Sequence, residues 1–444
     1  LSAVASDTGT EAALGTSDAI LVVGGGIAGI TAALEAAEAG ASVVLVEKNP
    51  YLGGRVAQLA RYFPKLCPPT CGLEINFQRL RDNRQIRFIT SAEVEEIRGE
   101  PGRYEVSIRR SPRYVNDRCT SCGKCAEVCP VDRPNEFDYG MSTTKTAYLP
   151  NEIAFPMKYA IDGSTCLFDE CHKCVDVCPV EAIDLHEEPE TLKMIVGSVV
   201  IATGWKPYDA RAITNLAFGH YDNVVTNVMI ERMAAESGPT GGKVTRPSDG
   251  EPVKSVAFIQ CAGSRDRLHL GYCSSICCLA SLKEASLVLE RHPDARVHIF
   301  YIDLRTPGTY EAFAQKVLSH PNVHAVKGKV ADIIEDPTTR ELTVIADAMV
   351  DGSMSRTKVD LVVLATGMQP SLADSAPHSS AAYDQAHLMQ IAGPDGFVAD
   401  EADAGGIFAA GCARRPVDVA TATMDGTAAA MLAMQAIHQA AVRS

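Results

Sequence analysis

Apolar positions along the chain fall into short continuous runs separated by Ala-rich amphipathic stretches. Residues 19–23 form one such run, as in a strand buried on both faces, and it closes on Gly24-Gly25-Gly26-Ile27-Ala28-Gly29. An Ala-rich helical stretch follows to Ala39 and is stopped by Gly40; 41–46 is a second apolar run ending at Glu47. This order predicts a βαβ opening. Further strands are expected at 196–202, 256–260, 297–302, 361–365 and 406–410, with helices over 275–291 and about 419–441. Strands alternating with helices read as an α/β protein with mainly parallel sheets, and 256–302 as a second βαβ-like unit.

The periodic pattern fails in two places. Residues 113–190 lack long periodic elements, and 234–252 are rich in Gly, Pro, Ser and charge, as in a loop or linker. The expected organisation is a disordered tail (1–18), a first dinucleotide-binding domain in three parts (19–112, 191–233, 361–444), a small inserted domain (113–190), a linker (234–252) and a second Rossmann-like domain (253–360).

Composition narrows the class. A net charge of −14 argues against a nucleic-acid partner and supplies no basic field for anionic lipid. No run approaches the ~18 apolar residues of a membrane helix, so direct membrane insertion is not expected. The first 18 residues lack a basic segment and read as a tail rather than a signal peptide. Fifteen cysteines at these spacings point to metal ligation in a reducing compartment, not to a disulfide scaffold.

Eight cysteines form two sets in the insertion: Cys119-x2-Cys122-x2-Cys125-x3-Cys129-Pro130 and Cys166-x4-Cys171-x2-Cys174-x3-Cys178-Pro179. Thiolates at this spacing wrap cubane clusters, and the fourth cysteine of each set ligates the other cluster. The expected ligands are Cys119, Cys122, Cys125 and Cys178 for one [4Fe–4S] cluster, and Cys166, Cys171, Cys174 and Cys129 for the second. The x4 gap departs from x2 and lengthens one ligand loop. A zinc ribbon lacks the triple spacing.

Gly24, Gly26 and Gly29 allow a tight turn and close approach of a pyrophosphate, with Ile27 and Ala28 opening the helix that faces it; Glu47 can accept ribose hydroxyls, and Lys48 follows it. A lone glycine motif is weak, but this one lies between a strand and a helix with an acid at the right distance. Gly53-Gly54-Arg55, the strand ends Ala202-Thr203-Gly204 and Ala365-Thr366-Gly367, and the stretch ending in Gly411-Cys412 resemble the two-dinucleotide-binding-domain flavoproteins, which favours FAD over NAD. Cys412 stands where that family usually has Asp.

A second nucleotide turn would follow 256–260. The sequence there is Cys261-Ala262-Gly263-Ser264-Arg265-Asp266, without the glycine pattern. Instead there is Cys261-x11-Cys273-x3-Cys277-Cys278, with Cys273 and Cys277 spaced to share a helix face. Four thiolates suit a third [4Fe–4S] cluster, zinc or buried unligated cysteines being the alternatives. Lys283 reads either as a solvent-exposed helix residue or as a cation beside the isoalloxazine. Cys67 and Cys71 read as a redox-active dithiol, as ligands to a centre shared with a partner, or as structural thiols.

Together these features resemble the heterodisulfide-reductase A family, in which the Cys-x11-Cys-x3-Cys-Cys element carries an unusual cluster and the lysine at position 283 lies near the flavin. Methanogen members carry further domains at each end; a compact form is expected here. Residues 55–58 with 67–77 look most like the A component of quinone-interacting membrane-bound oxidoreductase (Qmo) complexes. That resemblance implies two companions, the sister flavoprotein B subunit and the membrane haem/quinone C subunit. It also implies exchange with adenylylsulfate reductase in dissimilatory sulfur metabolism. The expected place is cytoplasmic, peripheral to the inner membrane through partners. The expected function is an oxidoreductase subunit relaying electrons; the alternatives are a flavin-based bifurcating heterodisulfide-reductase-type subunit, a self-contained NAD(P)H or disulfide flavoenzyme using Cys67 and Cys71, and a scaffold with degenerate flavin binding.

Overall fold

A computed structural model describes residues 16–63, 65–348, 353–372, 395–398 and 405–443. All of the expected tail but its last three residues lies outside the described residues. Two parallel sheets organise the rest. The first has five parallel strands in the order Ile407–Ala409, Ser198–Ile201, Ala19–Val23, Ser42–Val46, Ile86–Ile89. Its strands are buried on both faces, which accounts for their unbroken apolar runs. One face packs on helices Ile27–Glu38 and Val419–Arg443, which meet where Gly426 brings its backbone against the Ala28 carbonyl; a Cβ there would lie 2.5 Å from that oxygen. The other face packs on an antiparallel sheet of Glu190–Val196, Arg103–Arg110 and Ala92–Glu100 through Leu21, Val44, Ile97, Val106 and Val196.

The second sheet has seven strands, ordered Val224–Thr226, Leu361–Thr366, Ser255–Ala262, Arg296–Tyr301, Val323–Glu335, Leu342–Ala348, Met354–Val359. The first five are parallel and the last three form an antiparallel meander. Helices Asn227–Ala234 and Cys277–Arg291 cover one face around Phe258, Leu282 and Val288.

The eight-cysteine segment leaves the antiparallel sheet at Arg110 and returns at Glu190. It holds short pieces, among them helices Lys124–Val128 and Lys173–Asp176, around a small core of Val115, Ala147, Ile161, Cys174, Ala182 and Leu185. It is tied to both sheets. Arg113 donates to the carbonyls of Pro50 (2.6 Å) and Lys158 (2.7 Å). Arg232 forms a buried ion pair with Asp138 (2.8 Å) and lies 4.6 Å over the Phe137 ring.

The structure differs from expectation in three respects. The run 196–202 is broken at Gly197, whose backbone lies so close to Ser17 that a Cβ would sit 2.1 Å from its carbonyl oxygen. Val224–Thr226 and Leu361–Thr366, assigned above to the first domain, belong to the seven-stranded sheet; a fully buried apolar run reads the same in either sheet. The helix expected from 275 starts at Cys277, so Cys273 precedes it and shares no helix face with Cys277.

Candidate functional site

The end of the first strand opens on a cavity of about 1230 Å³, larger than the roughly 300–1,000 Å³ of most small-ligand sites. Gly24 takes φ +110°, and a Cβ would stand 2.3 Å from the Ala202 carbonyl oxygen; a Cβ on Gly29 would stand 1.9 Å from that of Gly24. Gly26 faces open space at the helix N-terminus, where an approaching anion meets free N–H groups. The Glu47 carboxylate accepts from Gly25 N (2.6 Å) and from Asn49 N (2.8 Å) and Nδ2 (2.7 Å). Burial pushes its carboxyl above the usual range, opposed by those N–H donors. Thr203, also on the cavity wall, has a buried hydroxyl with no partner among the described residues. An open glycine cradle, a carboxylate at the second strand end and an orphaned hydroxyl fit FAD.

Ile27, Ala28, Lys48, Gly54, Arg55, Ala202, Gly204 and Cys412 also line this cavity. Gly53 (φ +109°) and Gly411 (φ +60°) shape the turns behind it, Gly411 packing on Ala28. The Cys412 thiol donates to the Val417 carbonyl (3.6 Å) and is pushed up to about 12 by burial, so it is a neutral wall group. The helix Val419–Arg443 aims its N-terminus at the cavity, and Asp418 accepts from Thr421 N (2.7 Å) and Tyr310 OH (3.2 Å). Thr366 and Gly367, expected at the flavin, do not line it. The Thr366 hydroxyl donates to Asn227 (2.9 Å) and its carbonyl takes the Cys277 thiol (3.8 Å), because its strand belongs to the second sheet.

Sequence reasoning missed the wall supplied by the insertion. Arg133, Asn135, Phe137, Tyr139 and Tyr148 line the cavity. Arg55 donates to Gln58 (3.1 Å), to Tyr139 OH (3.2 Å) and to the Trp205 carbonyl (3.2 Å). The signal available was the chain's single tryptophan, placed directly after Gly204.

In the insertion, Cys129, Cys166, Cys171 and Cys174 surround one small cavity of about 20 Å³. Cys125 lies within electrostatic reach of Cys119 and Cys122. Burial pushes the Cys125 thiol up to about 12 and that of Cys174 to about 11, so these thiols need a metal to become thiolates. The Cys178 sulfur accepts Ala182 N–H (3.2 Å). No group of three or more His, Cys, Asp or Glu among the described residues closes around a single ion. The triple spacing Cys119-x2-Cys122-x2-Cys125 suits a cubane cluster rather than the paired cysteines of a zinc ribbon.

The third cysteine group is gathered in space. Cys261 (φ +58°) ends the strand Ser255–Ala262, Cys277 and Cys278 open the following helix, and Cys273 stands in the loop between; Cys277 lies within electrostatic reach of Cys261, Cys273 and Cys278, and Cys278 within reach of Cys261 and Cys273. Burial raises Cys277 well above the usual thiol range, and it raises Cys261 against the pull of Arg265. His269, Leu270, Gly271 and Tyr272, just before Cys273, line the flavin cavity. Lys283 is 4% exposed, which removes the solvent-exposed reading. It does not line the cavity either; its Nζ donates to the Arg61 carbonyl (2.7 Å) and pairs with Glu231. Cys67 is half-buried and Cys71 exposed, beside Tyr62 at the start of helix Thr70–Asp82 and outside the cavity lining.

Residues 19–74 match the FAD dependent oxidoreductase family and 112–132 the 4Fe-4S binding domain. Fold and site thus define an FAD-binding Rossmann-like frame carrying a ferredoxin-type iron–sulfur domain. The chain is similar over most of its length to A-type subunits of heterodisulfide reductases. It is 40% identical over 431 residues to the second A-type iron-sulfur subunit of CoB–CoM heterodisulfide reductase from Methanopyrus kandleri, covering 95% of this chain and 64% of that protein. It is 38% identical over 417 residues to the corresponding A-type iron-sulfur subunit from Methanocaldococcus jannaschii, covering 90% and 61%. The chain therefore spans less than two thirds of either relative. Thioredoxin reductase from Lactococcus lactis shares the fold at a TM-score of 0.53 and 13% identity, with 95% of this chain and 99% of that one covered.

Proposed function

We propose that this chain is the flavin and iron–sulfur electron-transfer subunit of a heterodisulfide-reductase-type complex, with a third [4Fe–4S] cluster held by Cys261, Cys273, Cys277 and Cys278. One observation carries the reading: the loop that replaces a second nucleotide turn brings four cysteines together, and its residues 269–272 form part of the flavin cavity wall. Bound FAD accepts electrons in pairs or singly, and the clusters accept one at a time. The chain's own residues set this up. Gly24, Gly26 and Gly29 admit the pyrophosphate, Glu47 holds the ribose, and Arg55, Gln58 and Tyr139 close the far wall against water. Lys283 supplies a fixed buried cation behind that wall. Fully reconstituted chain is expected to bind about twelve irons; about eight would remove the third cluster. Rapid flavin bleaching by NADH or NADPH in the isolated chain would replace the relay with a self-contained flavoenzyme.

A second, finer reading rests on the Qmo-like stretch at 55–58 and 67–77. It gives the chain a sister flavoprotein and a membrane haem protein as partners, with exchange between quinone and adenylylsulfate reductase. In this reading Cys67 and Cys71 face a partner, in keeping with their place outside the cavity. The relatives, both from heterodisulfide reductases, favour the first reading. No helix among the described residues is long and apolar enough to cross a membrane; in this second reading the membrane haem protein makes the attachment. Anaerobic copurification of the native complex separates the two: a haem-bearing membrane protein supports the second, and its absence the first.

A further inference from the structure

The small cavity ringed by Cys129, Cys166, Cys171 and Cys174 shares a wall with the flavin cavity. Ala147, on the cysteine side, and Tyr148, on the flavin side, are consecutive residues of one short strand, whose successive side chains leave it in opposite directions. Val131 lines the cysteine cavity and Arg133, two residues on, the flavin cavity. Cys119, Cys122, Cys125 and Cys178 line neither, and Cys122 is exposed. A cluster on the second set would be the flavin's inner neighbour, and one on the first set the outer. Arg133 is built into the shared wall. It is 8% exposed, its guanidinium lies 4.2 Å over the Tyr148 ring, and Nη1 donates to the Pro134 carbonyl (3.3 Å). Its Nε stands 3.3 Å from Asp162 Oδ2, an ion pair without the alignment of a hydrogen bond. Asp162 opens the turn into the second set: its backbone carbonyl accepts Cys166 N–H (3.0 Å), and Oδ1 accepts from Ser164 N (2.9 Å) and Oγ (2.6 Å). One charged pair thus reaches from the flavin wall to the loop carrying Cys166. A guanidinium this buried costs desolvation that one oblique carboxylate returns only in part, which points to a use for its charge.

We propose that Arg133, with Asp162, sets the reduction potential of the cluster on Cys129, Cys166, Cys171 and Cys174, and so governs how readily an electron on the flavin moves into the insertion. The proposal rests on the electron-transfer reading above. A cluster gains one negative charge on reduction, and its potential follows the charges around it. The guanidinium favours the reduced cluster, and the Asp162 carboxylate opposes it. Buried charges are weakly screened, so removing either one changes the cluster's redox equilibrium on the order of tenfold. In the step itself one electron leaves reduced flavin, which is oxidised, and enters the cluster, which is reduced. No bond forms or breaks, and the guanidinium stays protonated throughout.

The test uses the full chain with flavin and clusters in place, titrated electrochemically and read by electron paramagnetic resonance. The signal lost or altered in C171S identifies the second set's cluster. R133Q is expected to lower that cluster's midpoint by about 59 mV, the equivalent of tenfold for a one-electron couple, and R133K to keep it. D162N is expected to raise it, and R133Q combined with D162N to bring it back toward the wild type. The midpoint of the first set's cluster stays in place throughout. A second-set midpoint unmoved in the single variants overturns the proposal. So does a fall in both R133Q and D162N, the mark of a damaged ligand loop, or an equal shift of both clusters. If R133Q does not fold, D162N decides alone: a rise supports the proposal and no rise overturns it. Iron content separates this claim from the reading it rests on: about eight irons with the shift present defeats the third cluster alone, and about twelve with no shift defeats the role of Arg133 alone.

Discussion

The two Rossmann-like units use one frame to opposite ends. In the first, helix Ile27–Glu38 begins directly after strand Ala19–Val23, and the turn between them is glycine held against backbone from two directions. In the second, strand Ser255–Ala262 ends and the helix waits until Cys277, with the intervening loop carrying Cys273 and the strand end carrying Cys261. A short glycine turn leaves N–H groups free for a phosphate; a long cysteine loop puts thiols there instead. The same strand end can therefore present hydrogen-bond donors to an anion or sulfur donors to a metal, according to loop length and composition alone.

Variants at the two strand ends separate these roles. Lys283→Ala leaves Glu231 an uncompensated buried charge, so its denaturation midpoint should fall by the equivalent of about 3–5 kcal/mol. Gly29→Val drives a side chain into the Gly24 carbonyl and is expected to leave the chain without flavin, at a stability cost of about 1–3 kcal/mol, while iron stays. Cys277→Ser should lose about four irons of about twelve and keep its flavin. If either cofactor variant lost both flavin and iron, the two units would not be separable.

Glu284→Gln tests the same region by pH. Burial raises the Glu284 carboxyl above its ordinary 4.5. Its proton-linked stability is therefore complete below about pH 4.5 and is lost as pH rises toward the folded value. Measured by denaturant titration, E284Q should gain on the wild type as pH increases from that point; a constant difference would show that Glu284 is ionised in the fold. The smallest effect belongs to the first unit, where Arg79 bridges Glu38 (2.8 Å) on the surface: Arg79→Ala should cost about 0.2–1 kcal/mol and leave both cofactors in place.

What is readable in the sequence is local. The Gly24 turn, Glu47 and the cysteine sets each lie within one turn or loop, where spacing fixes chemistry. The sheet assignment of Leu361–Thr366 is not readable, because a strand buried on both faces carries no mark of its neighbours. Nor is the Glu231–Lys283 pair, which joins helices of the second unit to Ala60, 171 residues before Glu231. Lys283 stands out by its position near the cysteines, but its partners come from folding, not from spacing.

The insertion's share of the flavin wall has a consequence for how the protein matures. Phe137, Tyr139 and Tyr148 stand at the cavity only if the segment carrying them is folded, and that segment has a core of six buried residues. A core so small leans on its bound metal for folding free energy. Iron supply and flavin retention are then coupled within one chain. Protein matured in iron-starved cells should release its flavin on desalting, and a shortage of one nutrient would reach the cell as a deficiency of the other cofactor.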